Sequence, residues 1–144
     1  MKKTLIILSV FSLCFACNNR PEVTRDPLEG VWLNTKNYDI SPTDTTLDKG
    51  RNEHKIYYKG YFMWNAEPNG TNEEHGFGTY KLENDSLTET LLVCSASMKQ
   101  SINEIGTNEF KIWINIEKNS FDQMLKYKIN DTTYYRHEYY SRLK

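Results

Sequence analysis

The chain has 144 residues, with 18 basic and 19 acidic side chains and a net charge of −1. That is one domain's worth of sequence, and a balanced charge with no basic cluster carrying interleaved aromatics argues against a nucleic-acid partner. Ten tyrosines, six phenylalanines and three tryptophans are a heavy load for so small a protein. Such rings favour strands and line ligand cavities or interfaces.

At the N-terminus Met1-Lys2-Lys3 precedes the apolar run Leu5 to Phe15, which closes on Ala16-Cys17. Two lysines, a short apolar core and a small residue before the cut are the three parts of a secretory signal. The run is about half of what a spanning helix needs, and no later apolar segment is long enough to span. With cysteine directly after Ala16, residues 1–17 resemble a bacterial lipoprotein signal. Cys14 stands where that signal usually has Leu, and Leu13 lies one residue further back. The resemblance implies a signal peptide over residues 1–16 and a diacylated (palmitate-type) Cys17. It also implies lipid anchoring to a membrane of the bacterial cell envelope, on the periplasmic face or the cell surface. Lys2 and Lys3 would leave with the signal, taking the net charge from −1 to −3. Cys14 would leave too and Cys17 would be consumed, so Cys94 stands alone, which excludes a disulfide scaffold and a cysteine zinc site. In the run Leu91-Leu92-Val93-Cys94 it reads as a small buried hydrophobe.

Residues 17–27 carry Pro21, Pro27 and alternating charges, the composition of a flexible tether, and residues 28–144 form the domain. Leu28 to Lys36, with Val31, Trp32 and Leu33, predicts a first strand. Asn37 to Asn52 is polar, and reads as a long lid-like loop. Lys55 to Lys59 and Tyr61 to Ala66 predict strands that turn near Gly60, and Pro68-Asn69-Gly70 is a turn. Strands follow over His75 to Glu83 and Ser86 to Cys94, joined at Asn84-Asp85. Ser95 to Gly106 has room for one or two helical turns. Glu109 to Glu117, Ser120 to Ile129 and Thr132 to Leu143 complete about eight strands, with turns at Lys118-Asn119 and Asn130-Asp131. Short, evenly punctuated strands predict an all-β fold, an up-and-down antiparallel barrel or a sandwich.

Gly30-Val31-Trp32 on the first strand and Arg142 on the last resemble the lipocalin (calycin) arrangement, in which the Trp plugs the closed end and the Arg lies across it. The middle resembles a lipocalin-like domain of unknown function found in bacterial secreted proteins and lipoproteins. The matching residues are Phe62-Met63-Trp64, His75-Gly76-Phe77-Gly78-Thr79-Tyr80, Leu87-Thr88-Glu89 and Glu138-Tyr139-Tyr140-Ser141-Arg142. Departures are Phe77 for a Gly, Leu87 for a Tyr and Tyr140 for a Trp. The resemblance implies a barrel with structural roles for Gly30, Trp32 and Arg142.

Strand alternation indicates the interior. Phe62 shares a face with Trp64; Tyr80 with Gly76, Gly78 and Leu82; Glu89 with Leu87, Leu91 and Val93. Arg142 shares one with Tyr140, Glu138, Arg136 and Tyr134, and Phe110, Ile112, Ile114 and Ile116 face away from Trp113. Tyr57, Tyr61, Trp113 and Tyr139 are expected outside. A carboxylate among aliphatics needs a cation, and Arg136 and Arg142 are the candidates for Glu89, either as a structural pair or as an anchor for a ligand. The expected ligand-binding set is Phe62, Trp64, Tyr80, Glu89, Arg136, Glu138 and Tyr140, with Trp64, Tyr80, Glu89, Glu138 and Tyr140 lining one space.

His54, His75 and His137 each adjoin a glutamate, and neighbours on a strand point to opposite faces. With no nucleophile elbow, phosphate loop or zinc-protease motif, the sequence offers no catalytic residue, cofactor or metal site. The leading expectation is a membrane-anchored barrel that binds a small hydrophobic or amphipathic ligand. The alternative is an envelope interaction or inhibitor-type lipoprotein with a filled barrel, and an enzyme comes third.

Overall fold

The computed structural model of the protein describes residues 26–48, 52–69 and 72–144. The expected signal peptide, Cys17, most of the expected tether and Gly70 lie outside the described residues. The elements run β1 (Gly30–Ile40), β2 (Thr45–Asp48), β3 (His54–Tyr58), β4 (Tyr61–Asn69), β5 (Asn72–Glu83), β6 (Ser86–Cys94), α1 (Ala96–Ile105), β7 (Glu109–Ile116), β8 (Ser120–Ile129) and β9 (Thr132–Arg142). Successive neighbours pair antiparallel, and β1 also pairs with β9. Strands β1 and β3 to β9 thereby close an eight-stranded barrel, a geometry that leaves no long free edge.

Turn chemistry sets the hairpins. At Lys59-Gly60 the φ angles are 48° and 80°, and at Asn130-Asp131 they are 49° and 64°. Two successive positive φ values make the turn whose twist matches the flanking strands. The segment from Asn37, read from sequence as a loop, instead prolongs β1 to Ile40 and folds back as β2, pairing Tyr38 with Leu47 and Ile40 with Thr45. Ser41 Oγ accepts from the backbone N–H groups of Thr43 (3.3 Å) and Asp44 (3.0 Å) and so closes the turn. Its threonines suit a pleated surface as well as they suit a loop, and composition alone could not separate the two. The helical turns between β6 and β7 become α1, capped by the Ser95 hydroxyl at its start and by left-handed Gly106 at its end.

One end of the barrel is filled. Trp32 meets Phe121 edge-on with ring centres 4.8 Å apart, Phe121 stacks on Tyr140 at 4.6 Å, and Tyr57 meets Tyr80 at 4.9 Å. Phe62, Leu28, Leu87 and Ile114 complete this core. The Arg142 guanidinium lies 4.0 Å from the Trp32 ring and donates to the carbonyls of Glu29 (2.6 Å) and Pro27 (2.7 Å). Trp32 Nε1 donates to the Leu28 carbonyl at 2.7 Å. Gly30, at φ +146°, sits directly beneath Arg142, where a β-carbon would strike the guanidinium. The positive φ is what calls for glycine there, and a side chain would also have to displace the Arg142 head. Asp26 and Pro27, assigned by sequence to the tether, belong to this closed end, since Asp26 Oδ2 accepts from the Tyr80 hydroxyl at 2.6 Å.

Two facing assignments are corrected, Tyr57 having been expected outside and Val93 inside. Tyr57 is fully buried in the core, not on the outer surface, because Glu53, Lys55 and Tyr57 share the inner face at β3. Val93 is 64% exposed: the β5–β6 register shifts between Phe77 and Gly78, so that Gly78 pairs with Leu91 but Phe77 with Val93. This bulge turns Val93 outward and leaves Leu91 inside. Cys94 is free and half-buried.

Candidate functional site

Above the filled end the barrel holds a half-open cavity of about 320 Å³. Its apolar wall comes from Trp64, Leu91, Phe110, Ile112, Leu125 and Ile129, and α1 lies across it with Met98 and Ile105. The sequence motif places Trp64 here for a local reason. Trp64 pairs with Gly76 on β5, and a β-carbon at 76 would come within 2.6 Å of the Trp64 indole nitrogen and of Leu91. The missing side chain on β5 makes room for the indole.

The floor is a buried polar network, with Glu53 and Lys55 from the β3 side, Glu89 on β6, Gln123 on β8, and Arg136 and Glu138 on β9. Lys55 Nζ lies 3.2 and 3.3 Å from the two oxygens of Glu89, and the Tyr57 hydroxyl donates to Glu89 Oε1 at 2.5 Å. Arg136 donates to Glu138 Oε1 through Nε at 2.8 Å and to Asp39 Oδ1 through Nη1 at 3.3 Å. Gln123 Nε2 donates to Glu138 Oε2 at 2.5 Å. The Tyr140 hydroxyl lies between two carboxylates, at 2.5 Å from Glu53 Oε1 and 3.1 Å from Glu138 Oε2.

These contacts push the titrations apart. Burial and the neighbouring Glu138 raise Glu53 to a pKa of about 7, against the opposing pull of Lys55, the Tyr140 hydrogen bond and Arg136. Burial works the same way on Glu138, but Lys55, Arg136 and the hydrogen bonds from Arg136 and Gln123 outweigh it and hold that carboxyl below its usual value. Burial would lower Lys55, yet the charges of Glu89, Glu138 and Glu53 raise it. Burial and the facing carboxylates drive the Tyr57 and Tyr140 phenols well upward, so both stay hydrogen-bond donors.

Of the seven residues expected to bind a ligand, the fold brings Trp64, Glu89, Arg136 and Glu138 to the cavity. Phe62 and Tyr80 lie in the aromatic core, and Tyr80 turns its hydroxyl to Asp26 at the closed end. Tyr140 also lies in that core and reaches the site only through its hydroxyl. The single continuous space expected for Trp64, Tyr80, Glu89, Glu138 and Tyr140 is thus split in two. Large rings that alternate correctly fill the narrow end first, and parity carries no information on depth along the barrel. The cation for Glu89 is Lys55, not Arg136 or Arg142. Glu53, Lys55 and Gln123 went unnoticed in the sequence. For Gln123 a signal existed, since it shares parity with Phe121 and Leu125. Charged groups at 53 and 55 gave none, because such residues ordinarily face water.

Outside the barrel wall, His137 Nε2 lies 2.9 Å from Asp122 Oδ2 and its Nδ1 3.3 Å from the Tyr139 hydroxyl. Its partner is across the strand pair, not the adjacent Glu138. A groove of about 550 Å³ runs along the closed end beside Pro27, Lys118 and Arg142; it has no buried charge in its wall.

No protein-family model matches the chain, and no curated protein sequence matches it. Among solved structures it is similar to a lipocalin-like protein from Bacteroides uniformis, at 16% identity and a TM-score of 0.52, over 82% of this chain and 100% of that one. An uncharacterized protein from Bacteroides eggerthii is matched at 18% identity and a TM-score of 0.45, over 78% of this chain and 99% of that one. A Mycobacterium tuberculosis protein is matched at 11% identity and a TM-score of 0.42, over 83% and 94% of the two chains. With eight antiparallel strands closed by β1 and β9, a plugged end and a likeness spanning the whole Bacteroides uniformis chain, this protein has a lipocalin-like β-barrel fold.

Proposed function

We propose that the protein is a binding barrel that holds a small amphipathic ligand in the cavity beneath α1, lipid-anchored through Cys17 to a membrane of the bacterial envelope. The observation that carries the binding reading is the division of one half-open cavity into an apolar wall and a charged floor. An apolar body gains from leaving water against Trp64, Leu91, Phe110 and Leu125, and a few fixed polar groups below set its orientation. The test is native mass spectrometry of the protein purified from its own host. A retained small molecule that leaves on unfolding is the expected result. A bare-chain mass in every preparation overturns the reading.

One observation favours the runner-up, an interaction protein of the envelope. On the outer face of β4 to β6, Tyr61 stacks on Phe77 with ring centres 5.9 Å apart. Met63 pairs with Phe77, and Phe77 with Val93. All four, with Leu92, are exposed, which makes an apolar patch of the kind that marks contact surfaces.

A further inference from the structure

Building on the binding reading, the charges in the cavity floor restrict the head group of the ligand. Three buried carboxylates, Glu53, Glu89 and Glu138, face two cations, Lys55 and Arg136, while Glu74 on β5 and Glu104 on α1 line the cavity without being buried. Both cations are engaged: Lys55 spans the two oxygens of Glu89, and Arg136 is divided between Glu138 and Asp39. Among the described residues no ion pair within 4.0 Å reaches Glu53, which is 7% exposed and accepts its side-chain hydrogen bond from Tyr140. A second feature points the same way. Gln123 is 2% exposed and lines the cavity, and its Oε1 has no hydrogen-bond partner among the described residues. Its Nε2 is fixed on Glu138, so the amide cannot turn round without setting oxygen against carboxylate. A buried acceptor left open is costly.

We infer that the cavity takes an amphipathic ligand whose head is an ammonium or guanidinium cation, seated against Glu53 and Glu138 and donating a hydrogen bond to Gln123 Oε1. A carboxylate head would add a further negative charge where both cations are already engaged. An alcohol would satisfy Gln123 but gain no charge pairing from Glu53, which would stay protonated beside it. The groups that face Glu53 are Glu138, Arg136 and Tyr140 from β9 and Lys55 from β3. Their sum, with burial, leaves Glu53 largely protonated below neutrality in the empty barrel. Cation binding then breaks the Glu53 O–H bond and releases that proton to solvent, and the carboxylate accepts an N–H from the ligand. No other reactant is needed.

The experiment compares octylammonium, 1-octanol and octanoate by titration calorimetry on the folded protein. Runs at about pH 6 in buffers of different ionisation enthalpy measure the protons released. Octylammonium is expected to bind about tenfold or more tightly than either of the others, and to release up to about one proton per barrel. Glu53→Gln should abolish the proton release and the preference for ammonium over alcohol. Should that variant misfold, proton release by the unaltered protein still decides the matter. Equal binding of octanol and octylammonium, or binding of octylammonium without proton release, overturns the head-group inference and leaves the binding barrel standing. Tightest binding of octanoate does the same. Failure of all three probes to bind a folded barrel counts against the binding reading itself.

Discussion

Lys55 and Glu89 meet inside the barrel, with Nζ 3.2 Å from one carboxylate oxygen and 3.3 Å from the other, and both residues are buried. Lys55 also lies 5.6 Å from the centre of the Tyr140 ring. Neither charge has bulk water to fall back on, so each depends on the other. Losing one partner of a buried pair typically costs about 3–5 kcal/mol, whereas replacing both with apolar groups is often neutral. Lys55→Met should therefore lower the urea midpoint severely, and Lys55→Met with Glu89→Leu should recover most of the loss. A double variant no more stable than Lys55→Met would contradict this account. Substitution at Glu89 tests stability first and ligand binding only second.

Glu53 makes stability depend on pH. Its carboxyl rises from 4.5 to about 7 on folding, so its favourable contribution is complete below about 4.5 and is lost as pH rises through about 7. The shift corresponds to roughly 3 kcal/mol between those limits. Glu138, shifted downward, loses its contribution only on acidification below the ordinary carboxylate range, outside this window. Glu53→Gln should thus flatten the fall in stability between about pH 5 and about pH 8 and exceed wild type at the upper end. Denaturant melts at the two pH values check this, and an unchanged slope would refute it.

Trp32 plugs the closed end, contacts Phe121 and carries Arg142 on its face. Trp32→Ala should cost about 3–5 kcal/mol, close to the whole stability of a small domain. Arg142→Met keeps the aliphatic cover but loses the bonds to Glu29 and Pro27, and should cost less. Thermal melts by circular dichroism rank the two; near-normal melting of Trp32→Ala would be inconsistent with this packing.

Membrane attachment is tested at Cys17. Cys17→Ser should yield an unprocessed or unlipidated protein that leaves the detergent phase on partition. Recovery of a processed, detergent-phase Cys17→Ser protein would exclude lipidation there.

The alternation of Phe62 with Trp64 and the turn residues at Gly60, Asn84 and Asn130-Asp131 predicted short antiparallel strands in a barrel or a sandwich. The lipocalin-like resemblance favoured the barrel, and only β2 and the end of β1 were missed. Each of those signals acts over a few residues, through φ preferences and the two-residue repeat of a strand. The Trp32–Arg142 closure was legible for the same reason, as both residues sit on recognisable motifs. The site was only half legible. Parity says that Tyr80, Tyr140 and Trp64 point inward, but not that the first two fill the core while Trp64 borders a cavity. That distinction depends on register around the whole barrel, including the bulge that turns Val93 out. Lys55 and Glu89 are 34 positions apart and Glu53 and Tyr140 are 87 apart, and no local pattern ties such pairs together. Only closure of β1 on β9 makes them neighbours, and only burial gives their charges strength, because water otherwise screens them.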